Sequence, residues 1–225
     1  DTPEKLEHML EELSNAPNYA FDTETTAIDP MRADLVGLSF STVPGKAWYV
    51  PVGHQEGAQL TLEGVLPQIR TLMQGTKVGQ TAHNANYDMT ILGNYGISPG
   101  KVDFDTMVAA HLLGRKGIGL KNLAMEILGV EMTPISDLIG TGKKQITMDQ
   151  VSVEKAAPYA CADADMTGRL RTILEKQIFT RGFGNLMATV EMPLVPVLVE
   201  MQRNGIFAES GTLGEMSLGL DLQMK

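Results

Sequence analysis

Three strand-like segments follow one another closely near the start of the chain. Residues 19–25, 35–41 and 47–52 are rich in β-branched and aromatic side chains, and Gly and Pro residues punctuate the gaps between them. Pro44 and Gly45 predict a turn between the second and third segments. Because the connections are short, two antiparallel hairpin steps are the simplest topology. This feature restricts the N-terminal part to a sheet of neighbouring strands.

Helical periodicity dominates the rest of the chain. A helix is predicted over residues 3–14, before the first strand, and a helix over 62–73 and a strand over 76–80 follow the third. Apolar residues at three- and four-residue spacing predict further helices over 84–95, 105–113, 120–128, 153–177 and 186–204. Strands followed by many helices indicate an α/β protein, a mixed β-sheet flanked by helices with a C-terminal helical extension.

The excess of acidic residues limits the ways in which this chain could bind a phosphate-containing substrate. The chain has 18 Lys and Arg residues against 27 Asp and Glu residues, a net charge of −9, which argues against binding nucleic acid by bulk positive charge. Carboxylates hold hard cations, so an enzyme that meets phosphates through metal ions fits this composition. No apolar stretch approaches the ~20 residues of a membrane helix. The single cysteine, Cys161, excludes an intramolecular disulfide, and we expect a cytoplasmic protein without a membrane partner.

Two acids alternate within the first predicted strand. In the segment FDTET, Asp22 and Glu24 lie two residues apart and share one face of the strand, while Phe21 and Thr23 face the other side. Two like charges repel in a half-buried strand, and a metal ion between them would explain the pair. An edge strand with solvated acids is the alternative that this motif leaves open.

A second polar motif, HNANYD, follows the strand predicted over 76–80. Asn84 and Asp88 lie four residues apart and therefore share one face of the next helix. The motif places a carboxylate where a helix leaves a sheet, a common position for ligand sites. In the alternative interpretation, Asn84 is only the N-cap and Asp88 is exposed to solvent.

The third motif, YACADAD, lies within the long helix predicted over 153–177. Tyr159 and Asp163 share the apolar face, whereas Asp165 points about 200° away and is expected to be a surface acid paired with Arg169. An aspartate on an apolar face requires a partner, and no Lys or Arg shares its turn. The acids that would share a divalent cation are Asp22, Glu24, Asp88 and Asp163.

In this order, FDTET, NANYD and YACAD resemble the three exonuclease motifs of the DEDD superfamily, in its tyrosine-bearing branch. The flanking segments LVGLSFS, KVGQ, FDTM and EMPLVPVLVEMQRNGI resemble the 3′→5′ proofreading domains of bacterial family A DNA polymerases. The resemblance covers nearly the whole chain. It implies a ribonuclease H-like fold, with an exonuclease domain in residues 1–184 and the start of a truncated polymerase domain in residues 185–225.

The resemblance also implies two Mg²⁺ or Mn²⁺ ions, held by the same four acids, that activate a water molecule and stabilise the departing 3′ oxygen. Tyr159 would orient that water. The implied substrate contacts are Thr23, Ile28, Asn84 and Tyr87, with Ile28 against the terminal base. The implied partners are a single-stranded or frayed DNA 3′ end and the polymerase domain of the same chain.

Some features leave alternatives open. The second motif lacks a lysine that these polymerases usually carry, and its sequence HNA is closer to that of ribonuclease D-like enzymes. Trimming of RNA 3′ ends is therefore one alternative. A catalytically silent scaffold for the polymerase domain is another. His83 as a general base and Cys161 as a nucleophile are less favoured than a helix-start residue and a buried filler. The loop cations that would touch a DNA backbone, or simply be solvated, are Arg115, Lys116, Lys143 and Lys144.

Overall fold

A computed structural model describes residues 1–224 of the 225. A mixed sheet forms the centre of this described part. Its strands are β1 Asn18–Thr25, β2 Leu35–Val43, β3 Lys46–Pro51, β4 Gly79–Ala82 and β5 Val102–Asp105. They lie in the order β3-β2-β1-β4-β5, with β2 antiparallel to β1 and β3, and with β4 and β5 continuing parallel to β1. The predicted α/β class and the two hairpin steps are confirmed.

Glycines permit the tight geometry of the first three strands. Gly45 adopts a φ of 80° in the turn between β2 and β3, a conformation that is easy only without a Cβ. On β2, Gly37 lies opposite Glu24 of β1, and the ring of Tyr49 covers it. A Cβ on Gly37 would lie 2.2 Å from the Tyr49 hydroxyl oxygen, so the ring can occupy this place only above a glycine.

Helices surround the sheet on both sides. They are α1 Pro3–Asn15, α2 Leu62–Gln74, α3 Ala85–Asn94, α4 Thr106–Leu112, α5 Leu120–Leu123, α6 Ser136–Ile139, α7 Val153–Thr180, α8 Gly184–Leu186, α9 Met192–Asn204 and α10 Ser210–Gln223. The π-helical segments Ala124–Leu128 and Met187–Glu191 continue α5 and α8, and the 3₁₀ turns Gly142–Lys144 and Met148–Gln150 precede α7. The long helices agree with the predicted periodicity.

The helix α7 crosses the sheet and brings the third motif to the first. It packs against β1, β2, β3 and β4. A Cβ on its Gly168 would lie 3.6 Å from the Cβ of Ala20, so helix and central strand approach closely there. Leu170, Leu174 and Ile178 extend the buried face of α7 and are almost fully enclosed. This packing fixes the position of the preceding turn of α7, which carries Asp163.

The prediction differs from the structure at two strands. The strand predicted over 76–80 begins later, at Gly79, because pairing with β1 starts where Asn18 meets Gly79. The strand β5 falls in a segment that was assigned no strand. Its sequence VDFD alternates apolar and polar residues, but four residues are too few to predict a strand, and it forms as an edge strand by pairing with β4.

The C-terminal region has two parts that differ in burial. Met192, Val195 and Val199 of α9 are buried, and this helix packs against α3 and β5. Beyond Gly205 the apolar side chains are exposed, namely Ile206, Phe207, Leu213, Met216, Leu218, Leu220 and Leu222. The boundary between residues 184 and 185 stays a prediction.

Within residues 1–224 no helix alone is long and apolar enough to cross a membrane, although α7 with 184–204 passes that test as a pair bent by 118°.

Candidate metal centre

The carboxylates of the first and third motifs meet above the sheet. Asp22 and Glu24 project from the same face of β1, and Asp163 reaches them from α7. Each of the three offers a carboxylate oxygen, and these oxygens all lie within 4.8 Å of one another. Glu24 is 6% exposed and Asp163 is 8% exposed, so the alternative of solvated acids on an edge strand is wrong. The strand that carries them is the central one.

The oxygens of this cluster suit a divalent cation. Among the described residues, Glu24 Oε1 and Asp163 Oδ1 are buried without a hydrogen-bond donor. Burial and the surrounding carboxylates raise the pKa values of Asp22 and Glu24 well above their ordinary range. Hard cations such as Mg²⁺ and Mn²⁺ prefer carboxylate oxygens and would compensate this repulsion. The three acids therefore fit the cation that the sequence motifs imply.

The fourth predicted ligand, Asp88, is tied to β1 and lies near the cluster, where its charge contributes to the raised pKa values of Asp22 and Glu24. It lies in the first turn of α3 and is 2% exposed, so the alternative of a solvent-exposed Asp88 is wrong. Its Oδ1 accepts the Thr23 backbone N–H at 3.0 Å and the Thr23 hydroxyl at 2.6 Å. Burial raises the pKa of Asp88 to about 7, although both hydrogen bonds act to lower it. Asp88 does not belong to the three-acid group, and its role as a ligand stays a prediction.

Tyr159 lies one turn before Asp163 and is contacted by a lysine that the sequence motifs did not include. The Lys121 ammonium donates to the Tyr159 hydroxyl at 3.2 Å and lies 3.5 Å from Asp163 Oδ1. It also lies 4.3 Å from the centroid of the Tyr159 ring. The partner required by Asp163 thus comes from α5 rather than from its own helix. Because 42 residues separate Lys121 from Asp163, helical spacing could not have revealed the contact.

The prediction that Asp165 is a surface acid is wrong. Asp165 is 8% exposed because the turn between β2 and β3 covers it. Its carboxylate accepts the Gly45 backbone N–H at 3.0 Å, in addition to the predicted pair with Arg169, whose Nε and Nη2 lie 3.0 and 2.6 Å away. Asp165 therefore fixes α7 to the β2–β3 turn. Two acids only two residues apart on one helix have different surroundings.

The predicted substrate contacts lie around the ends of β1 and β4. Ile28 is 94% exposed in the loop after β1, although it is large and apolar. The Tyr87 hydroxyl donates to the Ala27 carbonyl at 2.6 Å and is also bonded to the Thr25 hydroxyl, so that it fastens this loop to α3. Thr23 is buried, and its hydroxyl donates to the Asp88 carboxylate. These two observations favour a role in positioning Asp88 over direct contact with a substrate.

Asn84 precedes α3 in the left-handed region, with a φ of 68°. It occupies the N-cap position, but its side chain makes no capping hydrogen bond and is exposed. The Asp105 carboxylate serves instead and accepts the backbone N–H groups of Asn84 and Ala85, together with those of Met107 and Val108 in α4. The Asn84 side chain is consequently free of the capping role that was its alternative explanation.

The surroundings of the less favoured residues do not support the catalytic roles considered for them. The Nδ1 atom of His83 is 2.8 Å from the Thr106 hydroxyl, and burial lowers the pKa of His83 to about 4. Burial raises the pKa of the Cys161 thiol to about 11, which does not favour a nucleophilic thiolate. Arg115 is paired with Glu126 and Gln177. The remaining loop lysines, which are exposed, are Lys116, Lys143 and Lys144.

The fold and the carboxylate cluster together define a nuclease of the kind that carries acids on a central strand and a crossing helix. A family described as 3′-5′ exonuclease matches residues 1–178. The chain belongs to this 3′-5′ exonuclease family, and the predicted resemblance is confirmed.

Curated relatives support the same assignment. The chain is 41% identical over 214 residues to DNA polymerase I of Chloroflexus aurantiacus and 36% identical over 223 residues to DNA polymerase I of Pseudomonas aeruginosa. These alignments cover 94% and 96% of this chain but only 23% and 24% of the relatives. The chain thus spans about a quarter of the length of these polymerases.

Solved structures share the fold at low sequence identity. The POL domain of Pol1 from M. smegmatis superposes with a TM-score of 0.80 at 19% identity, covering 99% of this chain and 35% of that one. Brucella melitensis NrnC has a TM-score of 0.67 at 20% identity and covers 87% of this chain and 92% of its own. The catalytic core of RRP6 from Trypanosoma brucei also has a TM-score of 0.67, at 16% identity, covering 88% of this chain and 50% of that one. The first of these covers nearly the whole chain, whereas the other two share the fold over somewhat less than nine tenths of it.

Proposed function

We propose that the chain removes nucleotides from the 3′ end of single-stranded or frayed DNA, as the proofreading module of a bacterial DNA polymerase I. The observation that carries the proposal is the cluster of Asp22, Glu24 and Asp163, whose oxygens converge within 4.8 Å and include two buried atoms without a donor. The similarity to two DNA polymerase I chains supports DNA as the substrate and a polymerase domain of the same chain as the partner. This proposal places the protein in the bacterial cytoplasm.

The acids would hold two divalent cations, Mg²⁺ or Mn²⁺, with Asp88 as the fourth ligand. When bound, such a pair supplies Lewis acidity at the attacking and leaving oxygens of a phosphoryl displacement. Thr23 keeps Asp88 in place through its two hydrogen bonds. The residues of this chain thus position the cations. Without cations, the negative charge of the acids would repel the phosphate of a substrate.

Other side chains would hold the substrate and the attacking water. The Tyr159 hydroxyl, one helical turn before Asp163, orients the water. Ile28 packs against the terminal base, which gives a reason for its 94% exposure. Asn84 offers its uncommitted side-chain amide to the nucleotide, and Tyr87 positions the loop that carries Ile28.

A gel assay with a 5′-labelled oligonucleotide tests the proposal. We expect a ladder of products shortened from the 3′ end in Mg²⁺ and no product in EDTA. A matched RNA strand measures the preference for the sugar. Faster trimming of RNA would favour the ribonuclease D-like alternative. No product from either strand, together with no thermal stabilisation by millimolar Mn²⁺, would favour the silent scaffold.

A further inference from the structure

Lys121 is a cation that reaches the acidic centre from outside the three exonuclease motifs. It belongs to α5, a four-residue helix that is anchored by the fully buried Leu123 and Ala124. Its side chain is 33% exposed, and its ammonium is directed at Tyr159 and Asp163. The anchoring residues place the lysine backbone, so the approach of the ammonium is a feature of the packed structure rather than of a loose surface chain.

Lys121 contacts both Tyr159 and Asp163. The Nζ–hydroxyl distance of 3.2 Å is within hydrogen-bond range, whereas the 3.5 Å to Asp163 Oδ1 is longer than a normal charge-assisted bond. Asp163 Oδ1 accordingly remains a buried atom without a hydrogen-bond donor. The position near the face of the Tyr159 ring adds a cation–π attraction. The lysine therefore holds the phenol and at the same time is an ion-pair partner of Asp163.

The direction of this hydrogen bond has a chemical consequence. An ammonium only donates, so the Tyr159 oxygen must be the acceptor. The phenol keeps one O–H group, which cannot point at Lys121 because an ammonium has no lone pair to accept it. Because Lys121 occupies one side of the Tyr159 oxygen, the hydroxyl has fewer directions in which to donate. A restricted hydroxyl of this kind can orient a water molecule for attack.

We propose that Lys121 is a positioning residue for Tyr159, which fixes the phenol O–H in the direction that orients the attacking water. This inference rests on the proposed exonuclease activity. A lysine that acted only as the counter-ion of Asp163 would contribute through the charge of the centre and would not need the Tyr159 hydroxyl. The two roles predict different results when the hydroxyl is removed.

A double-mutant cycle separates these roles. Single-turnover cleavage rates at saturating Mg²⁺ are measured for the 225-residue chain and for K121M, Y159F and the double variant. We expect K121M to slow the otherwise normal chain by about tenfold and the Y159F chain by less than about twofold, because the hydroxyl it positions is absent. K121R, which can still donate, should stay within about threefold of the unaltered rate. Equal slowing by K121M in both backgrounds would overturn the proposal.

A control variant and a metal titration test whether the slower rate of K121M comes from the loss of a positive charge in general or from damage to the metal centre. K77M removes the same charge from an exposed lysine just before β4, which pairs with the start of β1 rather than with the end that carries the acids, and should leave the rate unchanged. Stabilisation of K121M by Mn²⁺ should be retained or larger, because a competing positive charge near Asp163 is removed. Loss of that stabilisation would show that the variant disrupts the metal centre, and would count against a positioning role.

A measurement without cleavage distinguishes failure of this inference from failure of the proposed function. The tyrosines are replaced by 3-fluorotyrosine, and Y159F assigns the ¹⁹F resonance of Tyr159. We expect K121M to move and broaden this resonance, because the ring loses both the donor and the nearby cation. An unchanged Tyr159 resonance would overturn the inference even in a chain that cleaves DNA. An inactive chain whose resonance moves would retain the contact but contradict the proposed function.

Discussion

The Asp88 carboxylate accepts both the backbone N–H and the hydroxyl of Thr23, at 3.0 and 2.6 Å. Thr23 lies between Asp22 and Glu24 on β1 but faces the other side of the strand. The same strand thus carries two acids and holds a third acid, from α3, close enough to Asp22 for its charge to raise the pKa of Asp22. This contact joins the first and second motifs, although Thr23 and Asp88 are 65 positions apart in the sequence.

Replacing Thr23 by Val should weaken both stability and the metal centre. The change removes one donor to a buried carboxylate at nearly constant volume, which costs about 1–3 kcal/mol of unfolding free energy. Because that hydroxyl lowers the pKa of Asp88, its loss should raise this pKa further and move the acidic limb of the activity profile to higher pH. Denaturant unfolding and a pH–rate profile measure the two effects. T23S keeps the hydroxyl, and equal behaviour of T23S and T23V would contradict the explanation.

The metal-free chain should lose stability as the pH rises towards neutrality. Burial raises the pKa of Asp88 to about 7, from about 4 in the unfolded chain, so the folded state binds a proton that the unfolded state releases. This contribution is complete below pH ~4 and is lost as the pH rises through about 7. In EDTA, the Tm of the unaltered chain should fall relative to that of D88N across this window. Parallel Tm curves for the two chains would refute the assignment.

Removing Asp163 should abolish cleavage while leaving the fold nearly intact. D163A takes one acid from a repelling group, so its stability in EDTA should be close to that of the unaltered chain. We expect a loss of at least about 10³-fold in rate and of the thermal stabilisation by Mn²⁺. D165N is the matched control two residues away: it weakens the bonds to Arg169 and Gly45, should lower the unfolding free energy by about 1–3 kcal/mol, and should retain Mn²⁺ binding. Undiminished metal-dependent cleavage by D163A would end the assignment.

Shortening Ile28 should affect substrate binding and not folding. The side chain is 94% exposed, so I28A should change the unfolding free energy by less than about 0.5 kcal/mol. If Ile28 packs on the terminal base, KM for single-stranded DNA should rise by about three- to tenfold with a smaller effect on kcat. I206A, at a residue that is 97% exposed, is the control and should leave both constants unchanged. An unaltered KM in I28A would remove this residue from the substrate site.

Short-range patterns were sufficient for much of the molecule. Alternation on a strand put Asp22 and Glu24 on one face, and four-residue spacing aligned Tyr159 with Asp163, because both periods are properties of the local backbone. The hairpins followed from short connections and from a turn that contains Gly45. The strand β5 was missed, because a four-residue edge strand is formed by its neighbour rather than by its own sequence.

Contacts between distant segments were decided only by the tertiary structure. The burial of Asp165 depends on the β2–β3 turn that covers it, and the approach of Lys121 to Tyr159 depends on how α5 is anchored in the core. Neither is encoded in a periodic pattern, since each joins residues from separate elements. By itself, therefore, the sequence determined which side chains share a face and which family the motifs resemble. Packing decided which of those side chains are buried, which are paired, and which oxygens remain available to a cation.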